Sequence, residues 1–261
     1  MHLAKYHGLG NDFLVALAAD NDDLDPDPAT AIALCDRHRG IGADGLIYGL
    51  PTDVADARMV LLNSDGSAAE ISGNGVRCLA QALLRRDGRD DASVEIETPS
   101  GRRSVRTVRG DVGTEVWMQV DMGATSPGPP IPAEAVIDAK QVTTVDIGNP
   151  HLVMLIDEPG AIDLAAEGPP LERAFSGGIN VHFIAVSSPD TIDLAVWERG
   201  AGITEACGSG AAAAAVAANG WGIVGRSVTV RMPGGDAVVD ITDDTVLLSG
   251  PSTFVAEVIT P

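Results

Sequence analysis

Apolar and polar positions alternate with a period of two over much of this chain, so short strands dominate the expected structure. Residues 3–7 and 13–19 read as strands joined by a glycine turn, and 59–62 as a short apolar strand entering the turn Asn63-Ser64-Asp65-Gly66. Alternation over 93–98, 102–109 and 114–121 predicts an antiparallel meander with turns at Pro99-Ser100-Gly101 and Gly110-Asp111. Helices are expected at 29–38, after an Asp-Pro start and before Gly40, and at 76–84, after Ser72-Gly73-Asn74-Gly75. Further on come strands near 142–147 and 151–156, a helical region around 161–174, strands at 179–186 and 191–197, a helix opened by Cys207, and strands to the end. Residues 123–133, rich in proline, are the one linker-like stretch.

These patterns occur twice in the same order. Ser72-Gly73-Asn74-Gly75 is echoed by Cys207-Gly208-Ser209-Gly210, each opening an apolar helix. Gly10-Asn11-Asp12-Phe13-Leu14-Val15 is echoed by Gly148-Asn149-Pro150-His151-Leu152-Val153, and the strand beginning at Ser93 by the strand beginning at Ser227. One domain copied once explains the order. The expected fold is therefore α/β in the α+β sense: two pseudo-symmetric domains, each a mixed, largely antiparallel sheet around one central helix. Residues 1–115, joined by the terminal strand 251–261, form one half and 116–250 the other.

Composition narrows the function. A formal net charge of −20 repels a phosphate backbone, and an aromatic content of 3% offers few stacking platforms for bases. Nucleic acid is an unsuitable partner. The first dozen residues lack the apolar core and small-residue cleavage site of a signal peptide, and no run approaches the roughly 20 apolar residues that span a bilayer. Three cysteines, far apart and without CxxC spacing, argue against disulfides and zinc, and make the cytoplasm the expected location.

Candidate chemistry begins at Cys207. A thiol at a helix N-terminus meets unpaired amides and the positive end of the dipole, which predicts a pKa lowered from about 8.5 toward neutrality. The bland alternative is a small buried apolar side chain. Duplicated domains that pack about a two-fold axis would bring Ser72 and Cys207 to opposite faces of one carbon, the arrangement needed for racemisation or epimerisation. Amides near Gly73-Asn74 and Gly208-Ser209 could hold a carboxylate and the charge that develops on it. Glu198 could bind an ammonium and Arg199 a second carboxylate. Lys5 and Lys140 lie in no cofactor-like motif, so no cofactor is expected, and the acidic loop 20–27 lacks the ligand spacing of a calcium site. Gly40-Ile41-Gly42-Ala43-Asp44-Gly45 fits GxGxxG, but with a helix before it and a strand after, the reverse of a dinucleotide site, and it reads as a turn.

Over essentially its whole length the chain resembles the diaminopimelate epimerase family. The resemblance is carried by 5–13, Arg37-His38-Arg39-Gly40-Ile41-Gly42-Ala43-Asp44-Gly45, Asn63-Ser64-Asp65-Gly66-Ser67, Gly73-Asn74-Gly75-Val76-Arg77-Cys78, Gly148-Asn149-Pro150-His151 and 198–210. It implies a two-domain fold with pseudo-symmetric halves and cofactor-free interconversion of LL- and meso-2,6-diaminopimelate for lysine and cell-wall synthesis. Alternatives within the fold are a racemase of another amino acid or a catalytically weak amino-acid-binding homologue. Carried over by position, Asn11, Asn63, Asn149, Asn180, Glu198 and Arg199 are implied substrate contacts, and Gly73, Asn74, Gly208 and Ser209 the amide cradles. The implied partner is a small amino acid, with a homodimer as one assembly to consider and neither nucleic acid nor membrane.

The departure is Ser72, where the family pattern has a catalytic Cys before Gly-Asn-Gly. A hydroxyl is a far weaker acid than a thiol and needs a neighbouring base. Three readings stand open: an engineered replacement, a natural Ser activated locally, or a site given over to binding or another proton transfer. A helix N-cap is the plain reading and is compatible with each. Cys78 cannot take its place, since six residues of helix is ~9 Å of rise. For His151 an assisting role and a structural hydrogen bond are both open, whereas His7, His38 and His182 read as structural.

Overall fold

The computed structural model describes residues 1–69, 72–90, 93–135 and 138–260. Local signals set its elements as the pattern suggests. In the first part of the chain these are β1 (His2–Gly8), β2 (Asn11–Leu17), α1 (Pro28–Cys35), β3 (Gly45–Leu50), β4 (Ala57–Asn63), α2 (Gly73–Asp87), β5 (Ser93–Thr98), β6 (Gly101–Gly110) and β7 (Glu115–Asp121). Then come β8 (Ser126–Pro127), β9 (Gln141–Asp146), β10 (Pro150–Leu155), α3 (Leu164–Ala174), β11 (Asn180–Ser188), β12 (Thr191–Glu198) and β13 (Gly202–Ile203). Last are α4 (Gly208–Gly220), β14 (Ser227–Met232), β15 (Gly235–Ile241) and β16 (Val246–Ile259).

Two compact units result, one of Met1–Asp121 with Ser249–Pro261 and one of Met122–Leu248. In the first, strands run β1-β2-β3-β4-β5-β6-β7-β16, and β1 also pairs with β16, which closes the sheet on itself. Closure leaves this ring no open edge. Helix α2 touches every strand from β1 to β7, and eleven of its fifteen residues are buried, as expected of a helix running inside a ring. In the second unit the order is β16-β15-β14-β12-β11-β10-β9-β8, with α4 against β9, β10, β11, β12, β14 and β15. Residues Ala211–Ala215 of α4 are all fully buried. Methyl side chains let the strands approach closely, which is how a chain so poor in aromatics fills its interior.

The repeat noticed in the sequence is a repeat of pairing. The hairpins β1–β2 and β9–β10 are each followed by a parallel partner, β3 and β11, reached through α1 and α3. The hairpins β3–β4 and β11–β12 are each followed by a second parallel partner, β5 and β14, reached through α2 and α4. A parallel pair needs a crossover, and each crossover here is a helix.

Two expectations are corrected. Helix α1 ends at Cys35 and not at His38, because Asp36 Oδ1 accepts the amides of His38 (2.7 Å) and Arg39 (2.8 Å). The Leu34 carbonyl is meanwhile taken by Ile41 and Gly42. Within 123–133, read as a linker, Ser126–Pro127 forms an edge strand on β9, and Thr144 Oγ1 donates to the Pro129 carbonyl at 2.7 Å. Prolines there mark an edge position, where no ladder amide is required.

Candidate active site

Each unit presents the start of its central helix, and the two starts are built alike. Ser72 is the N-cap of α2 with φ −141° and ψ 111°, and its Oγ accepts the Gly75 amide at 3.0 Å. Cys207 is the N-cap of α4 with φ −125° and ψ 111°, and its Sγ accepts the Gly210 amide at 3.4 Å. By helix geometry the next amides, at Gly73-Asn74 and Gly208-Ser209, have no partner inside the helix.

In the first unit two predicted contacts, Asn11 and Asn74, join one network at the start of α2. Asn74 Nδ2 donates to Asn11 Oδ1 at 3.2 Å, and Asn11 Nδ2 donates to Asp44 Oδ2 at 2.8 Å. Asp44 also accepts the Asp12 amide and pairs with Arg37, which with Lys5 clamps Asp12. Burial raises the Asp12 carboxyl, but hydrogen bonds and charge from Arg37 and Lys5 outweigh it and hold the group below the usual range. The turn that mimics GxGxxG thus supplies Asp44, the group that orients Asn11. Asn63 lies beside this network in the chain's β4 turn, where its Nδ2 donates to Ser67 Oγ at 3.0 Å.

Sequence reasoning missed Arg77. It is fully buried and donates to Asn74 Oδ1 (2.6 Å), to the Gly73 carbonyl (3.2 Å) and to the Pro251 carbonyl (3.2 Å). Burial lowers its pKa to about 10, which leaves it cationic at neutral pH. Gly8 and Gly250 press against it: a Cβ on either would stand 3.2 or 3.1 Å from Nη2. The Gly73-Asn74 turn is therefore held from below by a charged group.

In the second unit the thiol of Cys207 donates to Glu198 Oε2 at 3.0 Å, while Glu198 Oε1 accepts from Thr204 Oγ1 at 2.6 Å. This corrects the expected thiolate. Cys207 is 3% exposed, and burial first, then the Glu198 charge and its hydrogen bond, raise the thiol well above its ordinary pKa. The Gly210 amide and Ser209 oppose that rise and are outweighed. Cys35 and Cys78 are also buried and are pushed up to about 11. Asn180, buried on β11, donates to the Pro150 carbonyl and accepts the Arg199 amide, both at 3.0 Å. Arg199 Nη1 donates to the Gly177 carbonyl at 3.3 Å.

His151 is fully buried and touches both a predicted contact and an unexpected one. Its Nε2 lies 2.8 Å from Asn149 Oδ1, and its Nδ1 lies 2.7 Å from Nε2 of His182, also fully buried. Burial holds both rings neutral, His151 well below its ordinary value and His182 at about 3. No group of three or more metal-ligating side chains occurs among the described residues.

A family profile described as diaminopimelate epimerase matches residues 3–126 and 143–255, so each match holds one central helix. The chain belongs to the diaminopimelate epimerase family. Curated relatives agree over nearly full length. The diaminopimelate epimerase of Desulfitobacterium hafniense is 39% identical over 98% of this chain and 96% of its own, and that of Synechococcus elongatus is 37% identical over 98% and 96%. Solved structures share the fold at low identity. A probable proline racemase from Agrobacterium radiobacter has a TM-score of 0.75 at 18% identity, covering all of this chain and 92% of that one. A Bacillus anthracis phenazine biosynthesis protein has a TM-score of 0.72 at 15% identity, covering 99% and 98%. Family membership makes the chain an isomerase of the epimerase type acting on an amino acid.

Proposed function

We propose that this protein interconverts LL- and meso-2,6-diaminopimelate by a cofactor-independent two-base reaction, with Cys207 as one acid–base group and Ser72 in the position of the other. The observation that carries the reading is the Cys207–Glu198 contact at the start of α4. A buried neutral thiol is a poor base, yet a carboxylate 3.0 Å away can take its proton, and the pair then remains singly negative overall. The resulting thiolate abstracts the α-proton of the bound amino acid, and the planar anion is reprotonated from the other face by the group at Ser72. Negative charge developing on the substrate carboxylate is met by amides at a helix start, where the dipole favours it. Arg199 suits a distal carboxylate, which separates a diamino-dicarboxylic acid from a simple amino acid.

Asn11, Asn63, Asn149 and Asn180 are assigned as substrate contacts, and the cytoplasm as the location on the strength of three unpaired thiols. A second reading rests on Ser72. Its Oγ is engaged with the Gly75 amide, and a hydroxyl that meets no base among the described residues supports ligand binding better than proton transfer. Incubation with LL-diaminopimelate in D2O separates the two. Formation of the meso isomer with deuterium at Cα supports the epimerase; tight binding with no exchange supports the binding protein.

A further inference from the structure

His182 belongs to none of the assigned roles, yet it is fully buried between β10 and β12 at the base of α4. Its Nε2 meets His151 Nδ1 at 2.7 Å, and its own Nδ1 has no hydrogen-bond partner among the described residues. Helix α4 lies directly over the ring: a Cβ on Gly210 would stand 2.3 Å from His182 Cε1 and 3.0 Å from Nδ1. Glycine at 210 is what lets the ring and the first turn of α4 share this space.

We propose that His182 is a positioning residue that fixes the hydrogen-bond direction of the chain His182–His151–Asn149, so that the Asn149 amide presents its NH2 group outward. The direction follows from the ends. Asn149 Oδ1 faces His151 Nε2, so that nitrogen carries the proton and His151 Nδ1 is an acceptor. Its partner must then donate, which makes His182 an Nε2–H tautomer with a bare Nδ1. That bare lone pair points at the first turn of α4, where the positive end of the helix dipole disfavours another N–H. Reversal of the chain would put an N–H there with no acceptor, and would turn the Asn149 carbonyl outward. In this direction Asn149 turns its two N–H donors outward and its carbonyl toward His151, the chemistry of a carboxylate contact and not of an ammonium contact. The role of Asn149 toward substrate rests on the epimerase reading; the tautomers do not.

Ring-nitrogen NMR of the 15N-histidine-labelled protein tests the direction without substrate. We expect neutral Nε2–H signals for both His151 and His182 from pH 6 to 8, and an Nδ1–H or doubly protonated ring at either position overturns the proposal. The effect on binding is read from the Kd of LL-diaminopimelate by calorimetry. His182→Leu should weaken it about tenfold, the scale of one charge-assisted hydrogen bond, while His182→Gln, which keeps a donor near the Nε2 position, should stay within about threefold. Equal losses in the two variants overturn the positioning role. Should His182→Leu fail to fold, the ring-nitrogen spectra still decide the direction. A wild-type protein that binds no LL-diaminopimelate, with both rings as Nε2–H, defeats the substrate reading and leaves the tautomers standing.

Discussion

The Cys207 thiol donates to Glu198 Oε2 at 3.0 Å, so one carboxylate both holds the proton on sulfur and is the nearest group able to remove it. Glu198→Gln should therefore separate two quantities that usually move together. The thiol pKa should fall, because the neighbouring charge that raises it is gone, and iodoacetamide labelling of Cys207 should quicken. Epimerisation should nevertheless slow by about 100-fold or more, the range for a lost acid–base group. Faster labelling together with an undiminished rate would show that Glu198 is no base.

Ser72 can be tested in two directions. Replacement by Ala removes the cap on the Gly75 amide and should lower stability by about 1 kcal/mol in urea unfolding. Ser72→Cys should retain the cap, since Cys207 caps α4 through sulfur, and should raise epimerase activity by at least ~100-fold. No change in rate, with the wild type already a competent epimerase, would mean that Ser72 is activated locally or is not the second base.

Arg199→Ala should weaken diaminopimelate more than a monocarboxylate amino acid, because only the former has a distal carboxylate for the guanidinium. Competition assays with both ligands measure the ratio. Equal losses would make Arg199 a structural residue, which its bond to the Gly177 carbonyl would serve.

The buried histidine pair should make the fold sensitive to mild acid. Both folded-state pKa values lie below the ordinary histidine value, His182 at about 3, chiefly through burial. The unfolded chain therefore takes up protons below about pH 6.5 that the folded one refuses, so stability falls as pH drops from there toward 3. Between pH 7 and 5 this amounts to about 2 kcal/mol for His182. Urea midpoints at the two pH values should differ less in His182→Gln than in the wild type; identical slopes would contradict the assignment.

The sequence exposes the helix starts because Gly-Asn-Gly and Gly-Ser-Gly announce close backbone approach, and the same glycines reveal the duplication. It hides the chemistry around them. The Glu198 carboxylate reaches Cys207 only through the β12–β13 hairpin, so a local rule about helix dipoles gives the wrong direction for the thiol. His182 lies on an alternating strand like any core residue, and nothing local tells that its ring meets that of His151, two register positions away on the adjacent strand. Asp44 and Arg77 were visible as parts of motifs, yet their bonds to Asn11, Asn74 and Pro251 depend on tertiary packing.

Strand β16 carries a consequence for how the polypeptide assembles during synthesis. Its residues from Ser249 onward belong to the first unit, where they pair with β1, whereas Met122–Leu248 form the second unit without interruption. The earlier-made half must therefore leave its ring open on the ribosome until a strand more than a hundred residues downstream of β7 emerges. During that interval the flanks of β1 and β7 are unpaired, and such edges invite association with other chains. The later-made half, continuous in the chain, can fold first, and the final strand then closes its predecessor.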